Sequence, residues 1–112
     1  MDHTLTCENP WFTKLKNGEK RVEGRKGSEK NNAIQAGDRI LFNSPDAQDS
    51  FWVQVEKVER YLSLDEYLNA VTLKEALPGV STVEAGKAIY HQWSSPEEIA
   101  EKGFLAIWVK VV

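Results

Sequence analysis

The chain has one cysteine, one methionine and two histidines, and no long apolar run. A lone Cys7 excludes an internal disulfide and a cysteine-built zinc cage. His3 and His91 are too few and too far apart along the chain to suggest a metal site, so neither a metal nor another cofactor is expected. The apolar stretch Leu105-Ala106-Ile107-Trp108-Val109 falls far short of the roughly 20 residues of a membrane span. No targeting leader opens the chain, which gives the expectation of a cytoplasmic or nuclear protein without a membrane partner. What the sequence does have is aromatics: four Trp, four Phe and three Tyr within a hydrophobic fraction of 41%. That is enough to pack a core, and it excludes intrinsic disorder. A length of 112 residues allows one domain, spanning 1–112.

The net charge is −3, but it is unevenly spread. Residues 1–30 carry seven Lys/Arg against five Asp/Glu, whereas the rest of the chain carries seven against twelve. The basic residues of the early segment are Lys14, Lys16, Lys20, Arg21, Arg25, Lys26 and Lys30. A basic stretch on an acidic body points to one anion-facing surface and not to a chain that coats nucleic acid indiscriminately.

Apolar periodicity places a short strand at 3–7 and a helix from Pro10 to about Lys16 that buries Trp11 and Leu15. Asn9-Pro10 supplies its start, and Asn17-Gly18 its stop. Lys20 to Arg25 reads as a strand with Val22 on one face and Arg21, Glu23 and Arg25 on the other. Residues 26–36 are polar and loop-like, and Gly37-Asp38 turns the chain into a strand over 39–42. Phe51, Val53, Val55 and Val58 mark a longer strand whose register slips at its end, as at a bulge. Ser63 caps a helix through Ala70, and Thr72 to Leu77 forms another turn. Ser81-Thr82-Val83-Glu84 reads as a capping box opening a helix to about Trp93, with Val83, Ala88 and Ile89 as its apolar face. A turn follows at 95–99, and the closing strand presents Leu105, Ile107, Val109 and Val111 on one face. The fold class is α+β: a small β-barrel with helices inserted between strands.

One stretch is more specific. Asn9-Pro10-Trp11 at the head of the first helix is followed by Gly18-x-Lys20-x-x-Glu23-x-Arg25 and, after a polar loop, by Gly37-Asp38-x-Ile40-x-Phe42. This pattern resembles the ASCH domain, named for homology to a transcription coactivator and belonging to the PUA-like superfamily. The late helix with Tyr90 and the closing Ile107-Trp108-Val109 fit more loosely. The resemblance implies a PUA-like barrel with a cleft between the first helix and the barrel. It also implies RNA or nucleotide-related ligands. The superfamily includes a small bacterial group that hydrolyses acetylcytidine, with a lysine, a threonine three residues on and a downstream glutamate as the proposed catalytic set. Lys20 matches the lysine and Arg25 an arginine that follows. Glu23 stands where the threonine would be, and Glu75 and Glu84 both lie near the place of the downstream glutamate.

As a nucleophile Lys20 would have to lose its proton, which means lowering its pKa from about 10.4 to about 7–8. A carboxylate three residues away favours the ammonium instead, suited to holding a phosphate or polarising a carbonyl. Glu23 would accept from a base amino group or act as general base, and Arg25 would pair with phosphate or stack on a base. Trp11 is either core or a stacking face, and Lys14, one turn on, would reach the same ligand. Arg21 and Lys26 complete the expected ligand-binding set. Tyr90 and Trp93 read as core, and Cys7 as an inert buried thiol. Two functions follow as expectations. The first is a binding module that takes RNA, single-stranded nucleic acid or a nucleotide in a basic cleft. The second is a small amidohydrolase acting on an acylated cytidine nucleoside through Lys20 and Glu23. A protein-interaction domain is a third.

Overall fold

The strand signals assemble into one mixed sheet in the computed structural model, which describes residues 1–112. Strands β1 (Asp2–Thr6), β2 (Val22–Lys26), β3 (Arg39–Asn43), β4 (Ser50–Tyr61) and β5 (Phe104–Val111) lie in the order β1-β3-β4-β5-β2. β1 runs parallel to β3, and the other neighbours are antiparallel. The sheet curls into a half-barrel whose free edges are β1 and β2. The helices α1 (Trp11–Lys16), α2 (Glu29–Asn32), α3 (Leu64–Val71), α4 (Leu73–Ala76), α5 (Val83–Tyr90) and α6 (Pro96–Lys102) fill the connections. The α+β class expected from the sequence is the class found. None of the helices is long and apolar enough to cross a membrane.

The curl comes from β4. Its register against β5 shifts between Val55 and Lys57, so Glu56 is the extra residue of a bulge, where the sequence loses its alternation. Phe51, Val53 and Val55 therefore point into the concave side with Leu5, Ile40, Phe42, Leu105, Ile107 and Val109. Phe12 and Leu15 of α1 close this core, and Trp11 does not: it is half-buried and touches both this core and a second one. The second core forms where α3 to α6 cover the opposite face of the sheet around Phe104, Ala106 and Val22. β5 is thus buried on both faces from Phe104 to Ile107, in contrast to the one-faced strand expected.

Other local expectations shift for identifiable reasons. Pro10 occupies the cap of α1, after a cis Asn9–Pro10 peptide, and the side-chain Oδ1 of Asn9 accepts from both the amide and the hydroxyl of Thr13. The segment expected to be loop contains α2, a four-residue turn capped by Ser28, too short and polar to show a period. The capping box expected at Ser81 to Glu84 does not form, since Thr82 caps α5 through Ala85 and Glu84 faces solvent. The reciprocal box lies at the next helix, between Ser95 and Glu98. α5 ends at Tyr90 and buries Gly86 and Tyr90 instead of Val83 and Ala88. A Cβ on Gly86 would stand 3.1–3.3 Å from Leu73, Leu68 and Leu77, so the bare glycine face is the one that packs.

Two half-buried carboxylates tie distant segments together. Glu98 meets Lys26 at 2.8 Å and the Ser95 amide, and these hold its pKa at about 2, below the ordinary 4.5. Asp38, bonded to His3 at 2.8 Å and to the Gln35 amide, is also held at about 2, from 3.8. A depressed carboxyl pKa adds stability that is complete above the unfolded value and is lost as pH falls through the folded one. Urea midpoints measured against pH should therefore decline between the ordinary carboxyl range and about 2. The slope should flatten in Glu98→Gln and Asp38→Asn.

Candidate ligand cleft at the open seam of the sheet

Between the two free edges the half-barrel is not closed by backbone pairing. One side chain crosses the gap: the Arg25 guanidinium donates to the Thr6 carbonyl oxygen at 2.7 Å. Beside this crossing lies a cleft of about 270 Å³. Thr6 and Cys7 at the end of β1, Trp11 of α1, and Glu23, Gly24 and Arg25 of β2 line one part of it. Leu77 after α4, Tyr90 at the end of α5, Trp93, Ser94 and Phe104 line the rest, with Lys20 and Glu8.

Lys20 reaches this place because the chain reverses at Asn17-Gly18, where Gly18 has φ +86°. The Lys20 amide then donates to the Lys14 carbonyl, and the Arg21 amide to the Glu75 carbonyl. These bonds turn Lys20 inward and Arg21 outward before β2 begins. The Lys20 ammonium is buried and donates to the Val22 carbonyl at 2.5 Å and to the Ala76 carbonyl. Its third neighbour is Oε1 of Glu23 at 3.7 Å, and the Trp11 ring lies 5.9 Å away. Burial pushes the Lys20 pKa down, and Glu23 works against that. Two carbonyl acceptors and a carboxylate at ion-pair distance suit an ammonium, whereas a neutral amine has two donors and would aim its lone pair at one of these oxygens.

Glu23 is the hinge of the cluster. Its Oε2 accepts from Nε of Arg25 at 2.8 Å and lies 2.7 Å from the terminal nitrogen that also reaches Thr6. Burial works against the Arg25 charge, but the Glu23 carboxylate outweighs it and raises the pKa further. The Cys7 thiol is pushed up to about 12, first by burial and then by Glu23, so it stays protonated and is no nucleophile at neutral pH.

Of the residues singled out from the sequence, Trp11, Lys20, Glu23 and Arg25 converge on the cleft. The other three do not line it. Lys14 donates to the Pro78 carbonyl at 2.6 Å, with its ammonium 5.6 Å from the Trp11 ring. Arg21 points away, 3.6 Å from Glu75 and over Trp108, into a separate shallow groove with Lys16, Glu56 and Lys110. Lys26 is spent on Glu98. Glu75 and Glu84 also lie outside the cleft, bound toward Arg21 and Lys87. The cleft is charge-balanced and not basic, with Lys20 and Arg25 facing Glu23 and Glu8. Trp93, expected in the core, is half exposed at the cleft because α5 stops short of it. Thr6, Glu8, Ser94 and Phe104 carry no sequence signal. Gly24 does, since a glycine inside a strand marks a close approach. No group of three or more His, Cys, Asp or Glu side chains gathers to hold a metal ion.

A curled five-stranded sheet with helices in its connections and a cleft against the first helix defines a PUA-like domain. The ASCH domain family model matches residues 5–112, and the chain belongs to that family, whose fold is often linked to RNA binding. The crystal structure of the hypothetical protein PH0355 is similar over the whole of both chains, with 28% identity and a TM-score of 0.91. The solution structure of protein PF0455 from Pyrococcus furiosus has 26% identity and a TM-score of 0.79 over 100% of this chain and 98% of that one. An ASCH domain from Lactobacillus crispatus shares the fold at 14% identity, with a TM-score of 0.65 over 98% of this chain and 79% of that one. No curated protein matches the chain significantly.

Proposed function

We propose that this ASCH domain is a binding module for one nucleobase, carried by RNA, by another single strand or by a modified nucleoside. The observation that carries the reading is an aromatic cleft of about 270 Å³ with the buried, charge-balanced Lys20–Glu23–Arg25 cluster beside it. The volume lies just under the usual range for drug-sized ligands and suits a flat ring. Trp11 and Trp93 offer stacking faces, and each such face contributes about 1–3 kcal/mol. Glu23 accepts from base N–H groups while Lys20 and Arg25 fix its position, and Lys14 near Trp11 is placed for the phosphate of a polymer. A neutral cleft supports recognition of a base more than of a phosphate track.

The quenching of tryptophan fluorescence by nucleosides and by short single-stranded RNA tests this. Nucleoside affinity should change little with salt, since no phosphate is neutralised, whereas RNA affinity should fall as salt rises. Trp93→Ala should weaken both by about tenfold. Absence of binding by every nucleoside and RNA tried would overturn the reading. A second reading, hydrolysis of an acylated cytidine nucleoside, draws on the contact between Lys20 and Glu23 within the cleft. It requires a neutral Lys20, against which the two carbonyl acceptors speak. Incubation with acetylcytidine separates the two, because cytidine released by the parent protein and not by Lys20→Met would make the domain a hydrolase.

A further inference from the structure

Behind the cleft wall two buried tyrosine hydroxyls, those of Tyr67 and Tyr90, lie 2.9 Å apart and bond to nothing else. The pair has two protons and one hydrogen bond between its oxygens, so one proton is left over. If Tyr90 donated, the spare proton would belong to Tyr67, which is fully buried against Gly24 and the Phe104 ring and has no hydrogen-bond partner besides Tyr90. A buried donor without an acceptor is costly. If Tyr67 donates, the spare proton belongs to Tyr90, which lines the cleft while Tyr67 does not. The second arrangement leaves no orphan once the cleft is filled. Burial raises both phenol pKa values, so both protons stay in place at neutral pH.

An acceptor opens on the same cleft. Oε2 of Glu23 is taken by Arg25, whereas Oε1 receives no hydrogen bond from the protein and has Lys20 only at 3.7 Å. The only side-chain oxygen both sealed and unpartnered is Oε2 of Glu75, so Oε1 of Glu23 is not sealed. We infer that Tyr90, oriented by Tyr67, is a hydrogen-bond donor that acts with Oε1 of Glu23 to read the Watson–Crick edge of an unpaired base. Every base carries a donor beside an acceptor on that edge, one for Glu23 and one for Tyr90, and pairing in a duplex would hide both. The inference rests on the base-binding reading above and adds to it the edge that is read and the residue that reads it. Tyr67 touches no ligand and is a positioning residue.

The experiment titrates the parent protein, Tyr90→Phe and Tyr67→Phe with the four common nucleosides. The tightest-binding one is then compared with a counterpart whose Watson–Crick N–H groups carry methyls. The rings are kept in both variants, and their melting temperatures check that packing is intact. The methylated nucleoside should bind the parent at least about tenfold more weakly. Tyr90→Phe should lose about tenfold for the unmodified nucleoside, and Tyr67→Phe about threefold through lost orientation. If a nucleoside binds the parent while Tyr90→Phe or the methylated ligand binds equally well, the inference is overturned and the base-binding reading stands. If no nucleoside binds the parent, the inference is overturned, and the base-binding reading falls with it when short single-stranded RNA does not bind either. The methylated ligand needs no mutant, so the test holds even if Tyr90→Phe fails to fold.

Discussion

Lys20→Met is expected to cost about 3 kcal/mol of stability and to lower the melting temperature by roughly 10–20 °C. The side chain is 2% exposed, and methionine fills its volume, so the loss is one of partners and not of packing. Two backbone carbonyls, of Val22 and Ala76, lose their donor, and Glu23 loses one of its two cations. An unpartnered buried polar group costs its whole desolvation, which outweighs the modest net gain of the bond that was made. The carbonyls belong to β2 and to α4, so Lys20 joins the sheet edge to the helical layer. Removing it should also loosen α4, visible as faster amide exchange at Ala76 and Leu77. Glu23→Gln on its own leaves Arg25 and Lys20 with no carboxylate between them. Combined in one chain, Lys20→Met and Glu23→Gln should cost less than the sum of the two, because each removes the group the other strands. Strict additivity in thermal or urea unfolding would mean that the 3.7 Å contact contributes nothing.

The ASCH-like spacing of Lys20, Glu23 and Arg25 pointed to one site, yet plain strand alternation set Lys20 opposite Glu23. The conflict is resolved by the turn at Gly18 and by β2 beginning only at Val22, so Lys20 lies before the strand and its alternation does not bind it. The bulge that curls the sheet is legible because the clean apolar alternation of β4 breaks at Glu56. Facing was less legible where burial comes from both sides. Nothing local tells that α3 to α6 will cover the second face of β5, or that Gly86, with no side chain, will be the contact of α5. The cleft itself draws on segments as distant as Thr6 and Phe104, joined only by the tertiary fold. Its charge balance was hidden for the same reason. The early basic stretch splits in three dimensions, with Lys20 and Arg25 going inward to Glu23, Arg21 outward to Glu75 and Lys26 sideways to Glu98.

Gly24→Ala is the other substitution expected to have a large effect, and it couples stability to the cleft. A Cβ there would stand 2.6 Å from the Phe104 ring and 2.6 Å from the Tyr67 hydroxyl, both shorter than any relaxed contact. The rings are packed edge to face, Tyr67 on Phe104 at 4.8 Å and Tyr90 on Phe104 at 5.1 Å between centroids, so neither yields without moving the other. Overpacking of this kind costs about 3 kcal/mol. Gly24 has no left-handed backbone to relieve, so the whole penalty is steric. Gly18→Ala is the contrasting control. At φ +86° it strains the backbone by about 1–2 kcal/mol, but its Cβ meets open space and no ring of the cleft moves. Nucleoside affinity, measured below the melting temperature of each variant, should therefore hold in Gly18→Ala and drop by about threefold or more in Gly24→Ala, where Tyr67 can no longer hold Tyr90. Adding Tyr67→Phe to Gly24→Ala removes the oxygen from the 2.6 Å contact and should restore part of the stability. It should not restore the affinity, because the hydroxyl that orients Tyr90 is then gone. Equal recovery of both would mean that Gly24 serves packing alone.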